Sequence, residues 1–155
     1  MILRPGQRAP DFEVPDQFGS TIHLAEVLDR SSVILVFFPF AFSPVCSDEL
    51  GALERAREEL AESNEAIEII GMTVDSKYTL AAWSHERQVS VDLGSDFWPH
   101  GEVASAYGVL DSSHGVAERG VFVISRNGTI VSSRQAARTE TRDFSADIGW
   151  ARSDR

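Results

Sequence analysis

Cys46 is the only cysteine in the 155-residue chain, and it closes the stretch PFAFSPVC that begins at Pro39. The stretch joins an apolar run to a charged, helix-like segment. A lone thiol at such a junction is either a small buried side chain or a nucleophile. Ser43 is a preferred helix N-cap, and Pro44 at the first helical position loses nothing, because that N–H has no helical partner anyway. Cys46 then falls at the third helical position. Its sulfur sits near unpaired backbone N–H groups and the positive end of the helix dipole, and both favour thiolate, the nucleophilic form. Ser43-x-x-Cys46 also keeps the spacing of a redox dithiol with oxygen replacing the first sulfur. Dithiol chemistry is therefore gone, and a nucleophile flanked by a hydroxyl remains.

Certain elements must position that thiol. Ser32 to Phe38 is apolar almost throughout, as in a strand covered on both faces. Ser43 to Ala61 reads as an amphipathic helix with Val45, Leu50, Leu53 and Leu60 inward, and Glu49, Glu54 and other charges on the remaining faces. Upstream, Ala9 to Val14 and Gly19 to Leu24 alternate around a turn and read as an edge hairpin. Downstream come a buried strand from Glu68 to Val74, a helix from Lys77 to Gln88, a short strand from Val91 to Leu93 and a short helix from Gly101 to Tyr107. Strands from Gly120 to Ser125 and from Thr129 to Ser133 flank Asn127-Gly128, a strong hairpin signal. A helix from about Thr141 to Ala151 closes the chain, burying Phe144 and Ile148, with Arg152 to Arg155 as a frayed tail. A βαβ unit followed by a hairpin and a helix is a thioredoxin-like α/β arrangement. Residues 1–155 are expected to form one domain, with the N-terminal hairpin and the Val91 to Tyr107 segment as insertions.

Pro39-x-x-x-Ser43-x-x-Cys46 resembles the peroxiredoxin active-site motif P-x-x-x-T/S-x-x-C. LVFFPFAFSPVC and SDFWPHGEVASAYGV are similar to the one-Cys group known as the alkyl hydroperoxide reductase E type, GVAERGVFVI carries the matching arginine at Arg119, and GQRAPDF matches the usual entry segment. The resemblance runs from about Gly6 to Ile130. It implies a thiol-dependent peroxidase acting on hydrogen peroxide, organic hydroperoxides or peroxynitrite through a Cys46 sulfenic acid. It implies that Arg119 holds the sulfur anionic and stabilises the leaving oxygen, and that Ser43 with the N–H groups of Val45 and Cys46 aligns the peroxide. It implies, too, that Pro39 shields the sulfur from water. The family mostly has threonine where Ser43 stands, so the hydroxyl is kept without the methyl that stiffens χ1. Where some relatives carry a resolving cysteine this chain has Gly51, so regeneration falls to an external thiol: mycothiol with a redoxin, or a thioredoxin-like protein. A homodimer is the family expectation. The alternatives are a redox sensor or relay passing Cys46 oxidation to a partner protein, and a binding domain with an incidental cysteine.

Further residues bound these readings. Glu49 in the first turns of the helix complements its dipole or orients an arginine near the site. Phe40, Phe42, Phe97 and Trp98 read as core or loop packing, or else as a dimer contact or the walls of an apolar entrance. His23, His85, His100 and His114 show no metal-binding spacing, and no phosphate or flavin motif is present, so no metal or cofactor is expected. A net charge of −10 argues against nucleic acid and anionic lipid as partners. The longest apolar run, Val33 to Phe42, is about half of the ~20 residues a membrane helix needs. The N-terminus lacks a secretory pattern, and an unpaired cysteine suits a reducing cytoplasm.

Overall fold

The sheet that carries the site has five strands in a computed structural model describing residues 1–154. Its centre is β3 (Ser32–Phe37), where every residue is buried. It runs parallel to β4 (Ile67–Thr73), which runs parallel to β5 (Asp92–Ser95). On its other side β3 is antiparallel to β8 (Arg119–Ile124), and β8 to β9 (Ile130–Ala136). The β8–β9 turn uses Gly128 at φ 86°, a conformation that Asn-Gly pairs supply readily.

Alternation along β3 feeds two apolar layers. Val33, Leu35 and Phe37 pack with Tyr107, Phe122 and the N-terminal segments. Ile34, Val36 and Phe38 face the layer that holds Cys46, Leu50, Leu53, Trp83 and Phe144. Helices α2 (Pro44–Glu62), α3 (Lys77–Arg87) and α5 (Ser145–Ser153) contribute residues to the second layer. The thioredoxin-like α/β fold with its N-terminal hairpin is thus in place, the hairpin being β1 (Glu13–Pro15) paired with β2 (Thr21–His23).

Several expectations are corrected. Leu24 ends no strand but begins a short helix, α1 (Leu24–Leu28), while α4 (Glu102–Ala106) precedes a two-residue ladder of β6 (Leu110–Asp111) with β7 (Val116–Ala117). The last helix starts at Ser145 rather than Thr141. From Thr141 to Phe144 burial alternates, with Arg142 and Phe144 inward, and this period of two is incompatible with a helix. Arg152 is not part of a frayed tail, since its guanidinium pairs with Glu65 at 2.8 Å; Arg155 lies outside the described residues. Phe40, Phe42, Phe97 and Trp98 are not core, being 44–81% exposed. Among the described residues no helix is long and apolar enough to cross a membrane.

Candidate active site

The site begins where β3 ends. Ser43 caps α2 with extended backbone, and its Oγ accepts from the Cys46 amide at 3.4 Å. Pro44 and Val45 fill the first two helical positions, so Cys46 is third, as its spacing predicts. Its side chain is buried, at 1% exposure. Pro39 and Ser43 are half-buried and Val45 likewise. The loop between them is steadied by the Ala41 amide, which donates to Asp75 at 2.8 Å. Phe42 takes a positive φ of 70°.

Topology delivers the second group. The last β3–β8 pair is Val36 with Val121, so the antiparallel neighbour begins its strand beside the end of β3. Arg119 shares its β8 face with Val121 and Val123, which belong to the Cys46 layer. Its Nη1 lies 3.7 Å from the Cys46 sulfur, although the two residues are 73 positions apart. Arg119 is 1% exposed, where a residue preceding a strand would ordinarily be solvated. Its Nη2 donates to Glu49. Its Nε is the one buried side-chain nitrogen or oxygen without a hydrogen-bond partner among the described residues.

Glu49 is fully buried, not on a charged outer face, and its carboxylate accepts from Arg119. It also holds an arginine that sequence reasoning missed. Arg142 reaches it with the backbone amide at 2.7 Å, Nε at 2.9 Å and Nη2 at 2.9 Å, while Arg142 Nη1 donates to the Gly120 carbonyl at 3.2 Å. The Arg142 guanidinium lies over the rings of Phe38 and Phe144, 5.2 and 5.5 Å from their centroids. Burial alone pushes the Glu49 carboxyl up, but the hydrogen bonds and charge of Arg142, with the charge of Arg119, hold it below the usual carboxylate range. Burial pushes the Arg142 guanidinium down from its ordinary value, against the pull of Glu49. The local string ARTETRDF reads as solvated, and only the two-residue spacing from Arg142 to the apolar Phe144 hinted that Arg142 points inward.

The arrangement brings Cys46 and Arg119 together under cover, with the Glu49 carboxylate linking Arg119 to the second guanidinium, that of Arg142, while the half-buried Ser43 caps the turn that carries Cys46. The AhpC/TSA family profile matches residues 5–133 of this sequence. The chain belongs to the AhpC/TSA family. Among relatives of this AhpC/TSA protein, alkyl hydroperoxide reductase E of Mycobacterium tuberculosis is 36% identical over 143 residues, covering 92% of each chain. A chloroplastic 2-cysteine peroxiredoxin of Chattonella marina var. antiqua is 37% identical, over 86% of this chain and 71% of that one. In three dimensions the chain is similar to the peroxidoxin BcpB of M. tuberculosis, at TM-score 0.85 and 27% identity over 99% of both chains. Enterococcus faecalis AhpC gives TM-score 0.86 and 27% identity over 99% of this chain and 92% of that one. The resemblance expected from the active-site motif therefore extends over nearly the whole chain.

Proposed function

We propose that this AhpC/TSA protein is a thiol-dependent peroxidase of the one-Cys type, with Cys46 as the attacking group. The observation that carries the reading is the contact of Arg119 with the Cys46 sulfur beside the unpartnered, buried Arg119 Nε. A buried donor without an acceptor costs about 1–3 kcal/mol, so its retention at a nucleophile fits an oxygen-bearing substrate. The thiolate attacks one oxygen of a hydroperoxide. A sulfur–oxygen bond forms as the O–O bond breaks, and the leaving oxygen takes a proton from solvent to become an alcohol or water. Sulfur gives up two electrons and becomes a sulfenic acid.

The roles of the neighbours follow. Arg119 stabilises the developing negative charge, and Ser43 with the amides of Val45 and Cys46 aligns the peroxide. Pro39, in the loop that follows β3, limits water at the sulfur. Glu49 and Arg142 are positioning residues that aim Arg119. With one cysteine, an external thiol must attack the sulfenic sulfur, displacing water, before a second thiol releases Cys46. Mycothiol with a redoxin, or a thioredoxin-like protein, supplies that chemistry. The reduced thiol suits a cytoplasmic setting, and the exposed Phe40, Phe42, Phe97 and Trp98 support a homodimer.

The deciding experiment is stopped-flow mixing of the reduced protein with hydrogen peroxide, an organic hydroperoxide and peroxynitrite, beside Cys46→Ser. We expect one equivalent consumed rapidly by the wild type, and repeated turnover once a thiol is supplied. Equal decay of peroxide with both proteins ends the peroxidase reading.

A further inference from the structure

Residues 38–43, between β3 and α2, belong to no helix or strand, and their backbone is strained at one point. Phe42 takes a φ of 70°, a left-handed conformation that a bulky side chain keeps only where its surroundings impose it. Two contacts supply that restraint. The Phe42 ring tilts against the ring of the buried Trp83, with centroids 6.4 Å apart. One residue earlier, the Ala41 amide donates to Asp75 Oδ2 at 2.8 Å. Ser43 follows directly, so the backbone at Phe42 sets where its hydroxyl points.

The ends of two other strands place Asp75 for this contact. β3 and β4 run parallel with Phe37 beside Met72, so the loop after one lies next to the turn after the other. The Asp75 amide donates to Thr73 Oγ1 at 3.0 Å, and its carbonyl accepts from Ser95 Oγ at 2.6 Å. Thr73 and Ser95 are both buried, so the main chain of Asp75 is pinned on either side. A capping duty does not account for the carboxylate. Helix α3 takes its cap from Ser76, whose Oγ accepts from the Thr79 amide at 3.2 Å. The Asp75 side chain crosses instead to the loop that carries Ser43. Cys46 is held by other means, in the first turn of α2 and against Arg119.

We propose that Asp75 is a positioning residue for the peroxide step, which holds Phe42 in its left-handed conformation and thereby aims the Ser43 hydroxyl beside Cys46. This role rests on the peroxidase reading and adds to it a residue outside the site that sets how well the peroxide is aligned. With the tether cut, Phe42 relaxes to a negative φ, the peptide between Phe42 and Ser43 turns, and the hydroxyl leaves its place. The sulfur keeps both Arg119 and the α2 N-terminus. Loss of Asp75 therefore slows attack on peroxide while leaving the reactivity of the thiol toward other electrophiles in place.

Stopped-flow decay of hydrogen peroxide and alkylation rates across pH test this on the full chain. In Asp75→Ala the peroxide rate should fall roughly tenfold or more, with the alkylation profile unmoved. Asparagine keeps an acceptor oxygen at the same reach, so Asp75→Asn should recover most of the wild-type rate. Asp75→Glu keeps the charge but moves the acceptor by one methylene, and should be slower than Asp75→Asn. In a Ser43→Ala background, adding Asp75→Ala should cost less than about twofold more, since the group it aims is already gone. Thermal unfolding checks that each variant is folded, and the comparison of Asn with Glu stands even if Asp75→Ala is not. An unchanged peroxide rate in Asp75→Ala overturns the role, as does Asp75→Glu outpacing Asp75→Asn. A displaced alkylation profile, or a full further loss in the Ser43→Ala background, overturns it too. A wild type that leaves peroxide untouched removes the peroxidase reading, and the role of Asp75 with it.

Discussion

Arg142 donates three hydrogen bonds to the Glu49 carboxylate, from its own backbone amide and two guanidinium nitrogens, at 2.7–2.9 Å across 93 positions of sequence. The same carboxylate accepts from Arg119, whose other terminal nitrogen lies against Cys46. One acidic side chain thus connects the arginine at the sulfur to an arginine from an irregular segment.

Replacing Glu49 by glutamine should separate reactivity toward an alkylating reagent from reactivity toward peroxide. The variant keeps both guanidinium charges, so the thiolate is favoured at least as much, and alkylation at neutral pH should not slow. Peroxide reduction should fall roughly tenfold or more, because Arg119 loses the group that aims it. Leaving two buried arginines short of a counter-charge should cost about 3–5 kcal/mol, read from denaturant unfolding. In the wild type the folded Glu49 titrates below its unfolded value of ~4.3. The stability it lends is therefore present at neutral pH and fades as pH falls through the acid range. A variant with unchanged peroxide kinetics and stability removes Glu49 from the site.

Arg119→Ala should slow peroxide attack by about two to three orders of magnitude, the usual loss on removing a preorganised donor at a developing charge. Its thiol alkylation profile should move to higher pH, since a positive charge has left the sulfur. Both readouts come from one protein preparation, using stopped-flow peroxide decay and alkylation rates across pH. A profile that stays in place rules out electrostatic support of the sulfur by Arg119.

At Ser43 two substitutions should diverge. Ser43→Ala loses the N-cap oxygen that accepts from Cys46 and should destabilise the protein by about 1 kcal/mol, with a larger drop in peroxide rate. Ser43→Thr keeps the hydroxyl and adds the methyl that narrows χ1, so its peroxide rate should equal or exceed that of the wild type. An alanine variant with the wild-type rate would show the hydroxyl to be a cap and nothing more.

Away from the site, Asp92 should govern part of the pH dependence of stability. Burial, then the charges of Glu68 and Asp16, push its carboxyl up to about 6. A folded value above the unfolded ~3.9 means that the folded protein binds the proton more tightly. Stability should accordingly rise as pH drops from about 6 toward 4, and the ionised form should weaken the β5 edge above pH 6. Asp92→Asn should raise stability near pH 8 by about 1 kcal/mol, allowing for partial exposure, and lose that advantage near pH 4. Thermal unfolding at the two pH values measures it, and a gain that does not change with pH contradicts the account.

Much of this protein is legible in one dimension because its causes are local. An unbroken apolar run sets β3 in the middle of the sheet, Asn127-Gly128 sets the β8–β9 turn, and Ser43 with Pro44 starts α2 so that Cys46 falls in its first turn. Absence of a second cysteine likewise needs no structure to read. What tertiary structure decided is the environment of charge. Glu49 and Glu54 have the same side-chain type as the exposed glutamates of α2, and nothing local marks them as buried. Arg142 lies in a polar string that resembles a solvated loop, and it enters the interior only because β9 ends at the same edge as β3 and the chain must cross that edge to reach α5. Ion pairing between groups 70 and 93 positions apart depends on strand order and register. Residue type supplies the charges, whereas the sheet determines which of them are buried together beside the sulfur.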